Sequence, residues 1–257
     1  MNDLVPTRKV LGVDLALLDY AKAIAAIETL TKHERPSAVS FCNTHLVTEA
    51  AYNQDFNDTL ARFDINLPDG MPLIWQLNKQ GANLKDRVYG PYLMKAFFTS
   101  EQCNPNLRHF LFGSTPELLA QLKARLKSNS PTALIVGTIA PPFRPFTEAE
   151  EAIFARQIAT ARADCIWVAM GGVKQEFWIA KNIHRHHRGV FLAVGDAFSL
   201  LAGQSTFAPD WIQKIGLTWL YRLIRNPKRL WKRYLFNNTR FIFLSAKDLL
   251  TPKKPSS

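Results

Sequence analysis

The 257 residues are 47 % hydrophobic and 21 % charged, the balance of a folded globular protein with enough chain for a full core. The net charge is +11, yet residues 211–257 hold eleven Lys or Arg against one acid, Asp248, and so carry +10 of it. So uneven an excess points to an anionic partner for the C-terminal end. No apolar run reaches the roughly 18 residues of a spanning helix, and Met1-Asn2-Asp3-Leu4-Val5-Pro6 lacks the cationic-then-apolar order of a signal peptide, so neither is expected.

Lys9 to Leu15 reads as a first strand, and a helix is predicted from Tyr20 to Lys32. Ala38 to Cys42 is a second apolar run, ending in Asn43-Thr44-His45. Helical periodicity returns through Leu46, Ala50 and Tyr52 and again from Phe56 to Phe63. Ile65 to Leu67 is a short strand that delivers Pro68-Asp69-Gly70, and Pro72 opens a helix where its missing N–H costs little. Leu107 to Phe112 is a strand, followed by a helix from Leu118 to Lys127 with Ser114 or Thr115 as its cap and Pro116 at its first position. Ala133 to Val136 continues the strand theme, and Thr147 with Glu150 has the spacing of a capping box. Cys165 to Met170 is a buried strand leading through Gly171-Gly172 to a helix from Lys174 to His187. Val190 to Val194 is the last strand.

This alternation predicts an α/β fold, a mostly parallel Rossmann-like sheet with helices on both faces. Ligands of such sheets bind beyond the carboxyl ends of the strands, which here carry Asn43-Thr44-His45, Asp69-Gly70, Gly113-Ser114, Gly171-Gly172 and Gly195-Asp196. Past Gly203 aromatic and basic residues dominate, in at least two helices broken at Asn226-Pro227. The chain therefore divides into an α/β core, residues 1–204, and a basic helical appendage, residues 205–257. Cys42, Cys103 and Cys165 show no C-x-x-C spacing and are expected as buried free thiols.

Asp69 is the first candidate for chemistry. A carboxylate between Pro and Gly at a strand end is held on a rigid turn, although an isolated Asp-Gly pair can be no more than a turn. Arg87 follows close enough to pair with a phosphate or to hold that carboxylate ionised. Lys174-Gln175-Glu176 opens a helix directly after two glycines, a place suited to a diphosphate or a sugar hydroxyl; a plain polar first turn is the competing reading. Gly113-Ser114-Thr115 is a weaker anion cradle. No G-x-G-x-x-G or Walker pattern is present, which argues against a dinucleotide oxidoreductase or a P-loop enzyme. There is no Asp-x-Asp pair either, the usual device for holding a divalent ion against a nucleotide-sugar diphosphate; if a diphosphate is expelled, its charge would fall to Arg, Lys and helix N-termini. His184, His186 and His187 lack zinc spacing and read as a solvated basic helix end. From Leu217 to Tyr234, Leu220, Leu223, Ile224, Leu230, Trp231 and Tyr234 recur at helical spacing. Arg222, Arg225, Arg229 and Lys232 are interleaved with them, the pattern of a helix lying in a lipid interface or of a core helix with a basic face.

In this order the motifs resemble the WecG/TagA/CpsF family of bacterial glycosyltransferases: NTHLVTEA (Asn43–Ala50), NLPDGMPLIW (Asn66–Trp75), DRVYGPYLM (Asp86–Met94), GGVKQEFWIA (Gly171–Ala180), AVGDAFSLLAG (Ala193–Gly203) and the W-L-Y-R-L-I-x-x-P-x-R run that begins at Trp219. The resemblance implies an inverting, metal-independent transferase without cofactor. It would carry a sugar from a UDP-sugar to a polyprenyl-diphosphate-linked saccharide in cell-surface polysaccharide synthesis, at the cytoplasmic, inner face of the membrane. It makes Asp69 the general base. It places substrate contacts at Asn43, Arg87 and Gln175, and at Arg222, Arg229 and Lys232 or Arg233 of an appendage that closes the site and meets an anionic membrane. Thr44 (or Ser40), in place of the hydroxyl lost at Phe41, and Glu176, beside Gln175 at the helix start, are further candidate contacts. Phe41, Tyr92, Val173, Ser199 and Phe207 depart from the family pattern, which leaves the donor sugar open. The acceptor glycan and oligomeric state are open as well, a homo-oligomer included. The rival readings are a non-catalytic, membrane-peripheral nucleotide sensor and, third, a nucleic-acid binder; no nucleic-acid reader motif accompanies the charge.

Overall fold

A computed structural model of the chain describes residues 5–101, 103–225, 227–228, 231 and 239–245. Strands β1 (Thr7–Val10) and β2 (Val13–Ala16) form an antiparallel hairpin, so the single strand predicted over Lys9 to Leu15 is two. The chain reverses at Leu11-Gly12, with φ of 49° and 91°, the paired positive values that a two-residue hairpin favours. A Leu at that position conceals a turn normally announced by Asn-Gly or Asp-Gly.

The elements that follow are α1 (Tyr20–Thr31), β3 (Ser37–Cys42), α2 (Thr44–Tyr52), α3 (Gln54–Ala61), β4 (Ile65–Pro68), α4 (Met71–Lys79), α5 (Gly90–Thr99), β5 (Arg108–Gly113), α6 (Pro116–Asn129), β6 (Leu134–Ile139), α7 (Glu148–Thr160), β7 (Cys165–Ala169), α8 (Lys174–Asn182), β8 (Val190–Ala193), α9 (Ala197–Leu201), α10 (Asp210–Lys214) and α11 (Thr218–Arg225). Six strands form one parallel sheet in the order β4-β3-β8-β7-β5-β6. The predicted α/β class is the observed one. Every residue of β3, β7 and β8 is buried, which is why these strands read as unbroken apolar runs rather than as alternation.

Local signals set the helix starts. Thr115 accepts the Leu118 N–H ahead of Pro116, and Thr147 with Glu150 closes a reciprocal capping box. Helix α8 stops at Asn182, short of the predicted His187, and a single 3-10 turn (Ile183–Arg185) follows. The predicted solvated histidine cluster does not form as such: His186 packs against the Phe191 ring at 4.8 Å, and burial lowers it to about 4. All three cysteines are buried free thiols.

Helices α1, α5, α6 and α9 cover one face of the sheet, and α2, α3, α7 and α8 cover the other. The segments leaving β3 and β8, adjacent strands, therefore depart to opposite faces, which opens a crevice at their carboxyl ends. Residues 205–225 cross that edge of the sheet. Phe207 stacks on Tyr92 of α5 at one side, and Gly216 abuts Met71 and Trp75 of α4 at the other. Beyond them, Phe241 of the helical stretch 239–245 joins the apolar cluster of Leu46, Met71 and Leu73. Among the described residues no helix is long and apolar enough to cross a membrane.

Candidate active site

Asp69 is the first residue beyond β4. Its backbone N–H donates to the Cys42 carbonyl at the end of β3 (2.7 Å), and the Val88 N–H donates to Pro68 (3.0 Å), so the turn is clamped from both sides. Gly70 caps α4 and Pro72 lies in its first turn.

Two cavities meet at this turn. One, of about 410 Å³, opens toward Gly172, Gln175, Gly195, Asp196 and Arg225, a polar surface built on the ends of β7 and β8. The other, of about 600 Å³, opens toward Met71, Trp75, Trp219, Phe241 and Ile242 and is walled mainly by apolar rings and chains. Asn43, His45, Asp69, Tyr89, Thr218 and Arg222 line both. Asp69 is half-buried at this junction. Burial pushes its carboxyl up to about 7, Asp196 adding to the rise while Arg87, Arg222 and the Gly90 N–H oppose it.

The other predicted site residues gather here with different duties. Asn43 caps α2 through its Oδ1, at 3.0 Å from the His45 N–H and 3.2 Å from that of Leu46, and lines both cavities. Thr44 lines the apolar cavity only. Gln175 is a brace as well as a wall: Nε2 donates to the Ala193 carbonyl and to Glu176 (both 3.0 Å), and Oε1 accepts the Gly195 N–H at 3.2 Å. Glu176 was expected to touch substrate, but it is fully buried beneath Gln175 and lines neither cavity. It accepts from Gln175 and, at 3.4 Å, from Ser40, and burial pushes it up to about 7. Arg87 is buried, its guanidinium 4.6 Å above the Tyr89 ring. Arg222 pairs with Asp196, joining α11 to the loop after β8. Arg229, Lys232 and Arg233 lie outside the described residues. Gly113-Ser114-Thr115 borders neither cavity; the Gly113 backbone packs so tightly on Ala169 that an added Cβ would sit 2.3 Å from its carbonyl oxygen.

A clamped carboxylate between a polar and an apolar chamber, with arginines over it, suits group transfer between two unlike substrates. Comparison with known proteins decides the matter: residues 8–255 match the model of the glycosyl transferase WecG/TagA/CpsF family. The chain belongs to this family. It is a glycosyltransferase, of the hexosyltransferase kind. Two relatives carry the name N-acetylglucosaminyldiphosphoundecaprenol N-acetyl-beta-D-mannosaminyltransferase. One, from Bacillus subtilis (strain 168), is 28 % identical over 81 % of this chain and 80 % of its own. The other, from Bacillus spizizenii, is 26 % identical over 89 % of this chain and 87 % of its own.

Against that family background the departures separate into groups. Phe41 and Ser199 line the polar cavity. Tyr92 and Phe207 line neither of the two chambers; they stack on each other at 4.8 Å and 13° and fasten the appendage to α5. Val173 takes φ of 72° just before α8, a conformation unusual for a β-branched residue. The two cavities are also lined by residues to which the sequence assigned no role. His45 and Asp196 were marked only by their strand-end positions, Trp75 and Tyr89 fall inside longer motifs, and Lys79 and Thr218 carry no local signal.

Proposed function

We propose that this glycosyltransferase moves a hexose from a UDP-sugar to a saccharide carried on a polyprenyl diphosphate, in an inverting, metal-independent displacement with Asp69 as general base. The observation that carries this reading is the position of Asp69 at the junction of a polar and an apolar cavity. The polar chamber suits a nucleotide-sugar diphosphate, with Arg222 and Arg225 beside it. The apolar chamber suits an acceptor whose lipid runs out over Trp75, Trp219 and Ile242. The names of the two Bacillus relatives describe transfer onto a saccharide-diphosphoundecaprenol.

In the proposed step the acceptor hydroxyl oxygen attacks the anomeric carbon from the side opposite the diphosphate. Its proton passes to Asp69, the bond from the anomeric carbon to the diphosphate oxygen breaks, and the electron pair leaves on UDP. A carboxylate raised to about 7 is a stronger base than an ordinary one and is about half ionised at neutral pH. Arg222 and Arg225 meet the charge that grows on the departing diphosphate. The proposal gives these cations the duty that a divalent ion would otherwise have, and EDTA should leave the rate unchanged. Exposed Ile224, Ile242 and Phe243 beside exposed Lys228 and Arg240 suit an anionic leaflet, where each basic residue contributes about 1 kcal/mol. We place the enzyme on the inner membrane face on that ground.

The test is a UDP-release screen of UDP-sugars against polyprenyl-diphosphate-N-acetylglucosamine, with UDP-N-acetylmannosamine first. Acceptor-dependent release from one donor is expected. Release from none of them, on this or other lipid-diphosphate saccharides, would sink the proposal.

A further inference from the structure

The guanidinium of Arg87 is buried within electrostatic reach of Asp69, yet its hydrogen bonds go elsewhere. Its Nη2 donates to Gln213 Oε1 at 3.2 Å and to Thr218 Oγ1 at 3.1 Å, both neutral acceptors on the appendage. A buried cation ordinarily seeks a carboxylate, because its desolvation is otherwise poorly offset. Here the geometry denies it one. Gln213 is itself buried and cannot turn: Nε2 donates to Tyr92 Oη and to the Ala208 carbonyl, both at 2.7 Å, which leaves Oε1 aimed at Arg87. Tyr92 in turn is fixed by its stack on Phe207. Thr218 opens α11, the helix that also carries Arg222.

We propose that Gln213 and Thr218 are positioning residues that hold the Arg87 guanidinium off Asp69, so that docking of the appendage keeps the base free to accept a proton. The inference rests on the reading of Asp69 as the base. When the two acceptors are absent, Arg87 swings onto the carboxylate and forms the bidentate pair that arginine favours. The other groups facing Asp69 do not substitute for that contact. They are Tyr20 of α1, Cys42 at the end of β3, His45 of α2, Tyr89 before α5, Asp196 after β8 and Arg222 of α11. Of these Arg222 is the other cation known to act on Asp69, and Asp196 engages it. The appendage would thereby do more than cover the site: a core whose appendage is undocked has its base neutralised by its own Arg87, which protects a UDP-sugar from idle hydrolysis.

The experiment is the pH profile of kcat for the full chain, in four variants beside the wild type. Gln213→Ala/Thr218→Val should move the acidic limb down by about one to three pH units, the effect of an arginine pairing with a carboxylate. The plateau rate should fall at least tenfold, with the KM for acceptor little changed. Thr218→Val alone, nearly isosteric, should move the limb the same way by less, and it keeps the test open if the double variant folds poorly. Gln213→Glu retains an acceptor for Arg87 and should leave the limb at or above the wild-type position. Arg87→Met, which removes the cation altogether, should move it upward. A limb that stays in place or rises when the two acceptors are removed overturns the proposal, because a merely structural loss lowers the rate without shifting the profile. An Asp69→Asn enzyme that keeps near-normal activity would instead bring down the base assignment, and this inference with it.

Discussion

Asn43, Asp69 and Gln175 follow parallel strands whose side chains are buried on both faces: Asp69 and Gln175 are hydrogen-bonded to the ends of β3 and β8, and Asn43 is fixed as the cap of α2. Thr218 and Arg222 reach the same space from a short helix whose outer side leaves Ile224 71 % exposed, with Trp211 on α10 64 % exposed. The core wall is held by the sheet. The appendage wall is held by side-chain contacts: the Tyr92–Phe207 stack, the Arg87–Gln213–Thr218 bonds, the Arg222–Asp196 pair, Gly216 against α4 and Phe241 in the cluster of Leu46 and Met71. Elements secured in that way open at lower free-energy cost than core strands do. Under the proposed function, one half of the site is formed by the sheet and the other is brought to it by docking of the appendage.

The bluntest way to break this division is to remove the appendage from Ser205 onward. Transfer should vanish, since Thr218, Trp219 and Arg222 leave both cavities, while circular dichroism and melting still report a folded α/β core. A truncated chain with full activity would show that the delivered half is dispensable. Asp69→Asn comes next: kcat should fall by roughly 10²–10⁴, the usual worth of a positioned base, with little change in KM. In the wild type the acidic limb of the rate should lie near 7, where Asp69 titrates, rather than near the ordinary carboxylate value of about 4. Activity is lost as pH falls through that limb, because only the ionised carboxylate can take the proton. Arg222→Ala tests the appendage wall in the same terms, and a loss of about 10²–10³ in kcat is expected if it stabilises the leaving diphosphate. Arg222→Lys should recover only part of that loss, because a point charge cannot reproduce the fork of a guanidinium. Full activity in the alanine variant would leave the appendage wall with shape but no chemistry.

The two walls were also unequally legible in the sequence. Asp69 and Asn43 could be found because a parallel sheet puts ligands at strand ends, and the ends of β3 and β4 are marked by apolar runs that stop at polar residues. Gln175 was visible for the same reason, but the burial of Glu176 beside it was not, since a helix start looks polar whether or not a neighbour covers it. On the appendage, the basic and aromatic pattern announced a surface element and Arg222 within it. It could not announce Gln213 or Thr218, whose partner Arg87 is 126 and 131 residues away. Pairings of that range depend on how the chain is laid across the sheet, which no local periodicity encodes. The Leu11-Gly12 turn was missed for a smaller reason: its backbone is that of a hairpin, but its first residue is not one that hairpins favour.

The smallest effect we predict concerns the core wall alone. Glu176 is fully buried and pushed up to about 7, above its ordinary 4.5. Its folded form therefore holds a proton that the unfolded chain releases, and linkage gives the sign. The stability tied to this group is fully present below about 4.5, is lost as pH rises toward 7, and is flat beyond. Glu176→Gln keeps the oxygen that accepts from Gln175 and Ser40 and abolishes the titration. The variant should match the wild type in melting temperature near pH 5 and exceed it by a few degrees at pH 8, and the acidic limb of its kcat profile should stay where Asp69 puts it. If the limb moved with Glu176→Gln, the carboxyl titrating near 7 in the reaction would be the buried one. The division between a fixed core wall that supports and a strand-end Asp69 that reacts would then have to be redrawn. If only the melting curve moved, Glu176 would belong to the frame that holds Gln175 in place, whether or not the appendage is docked.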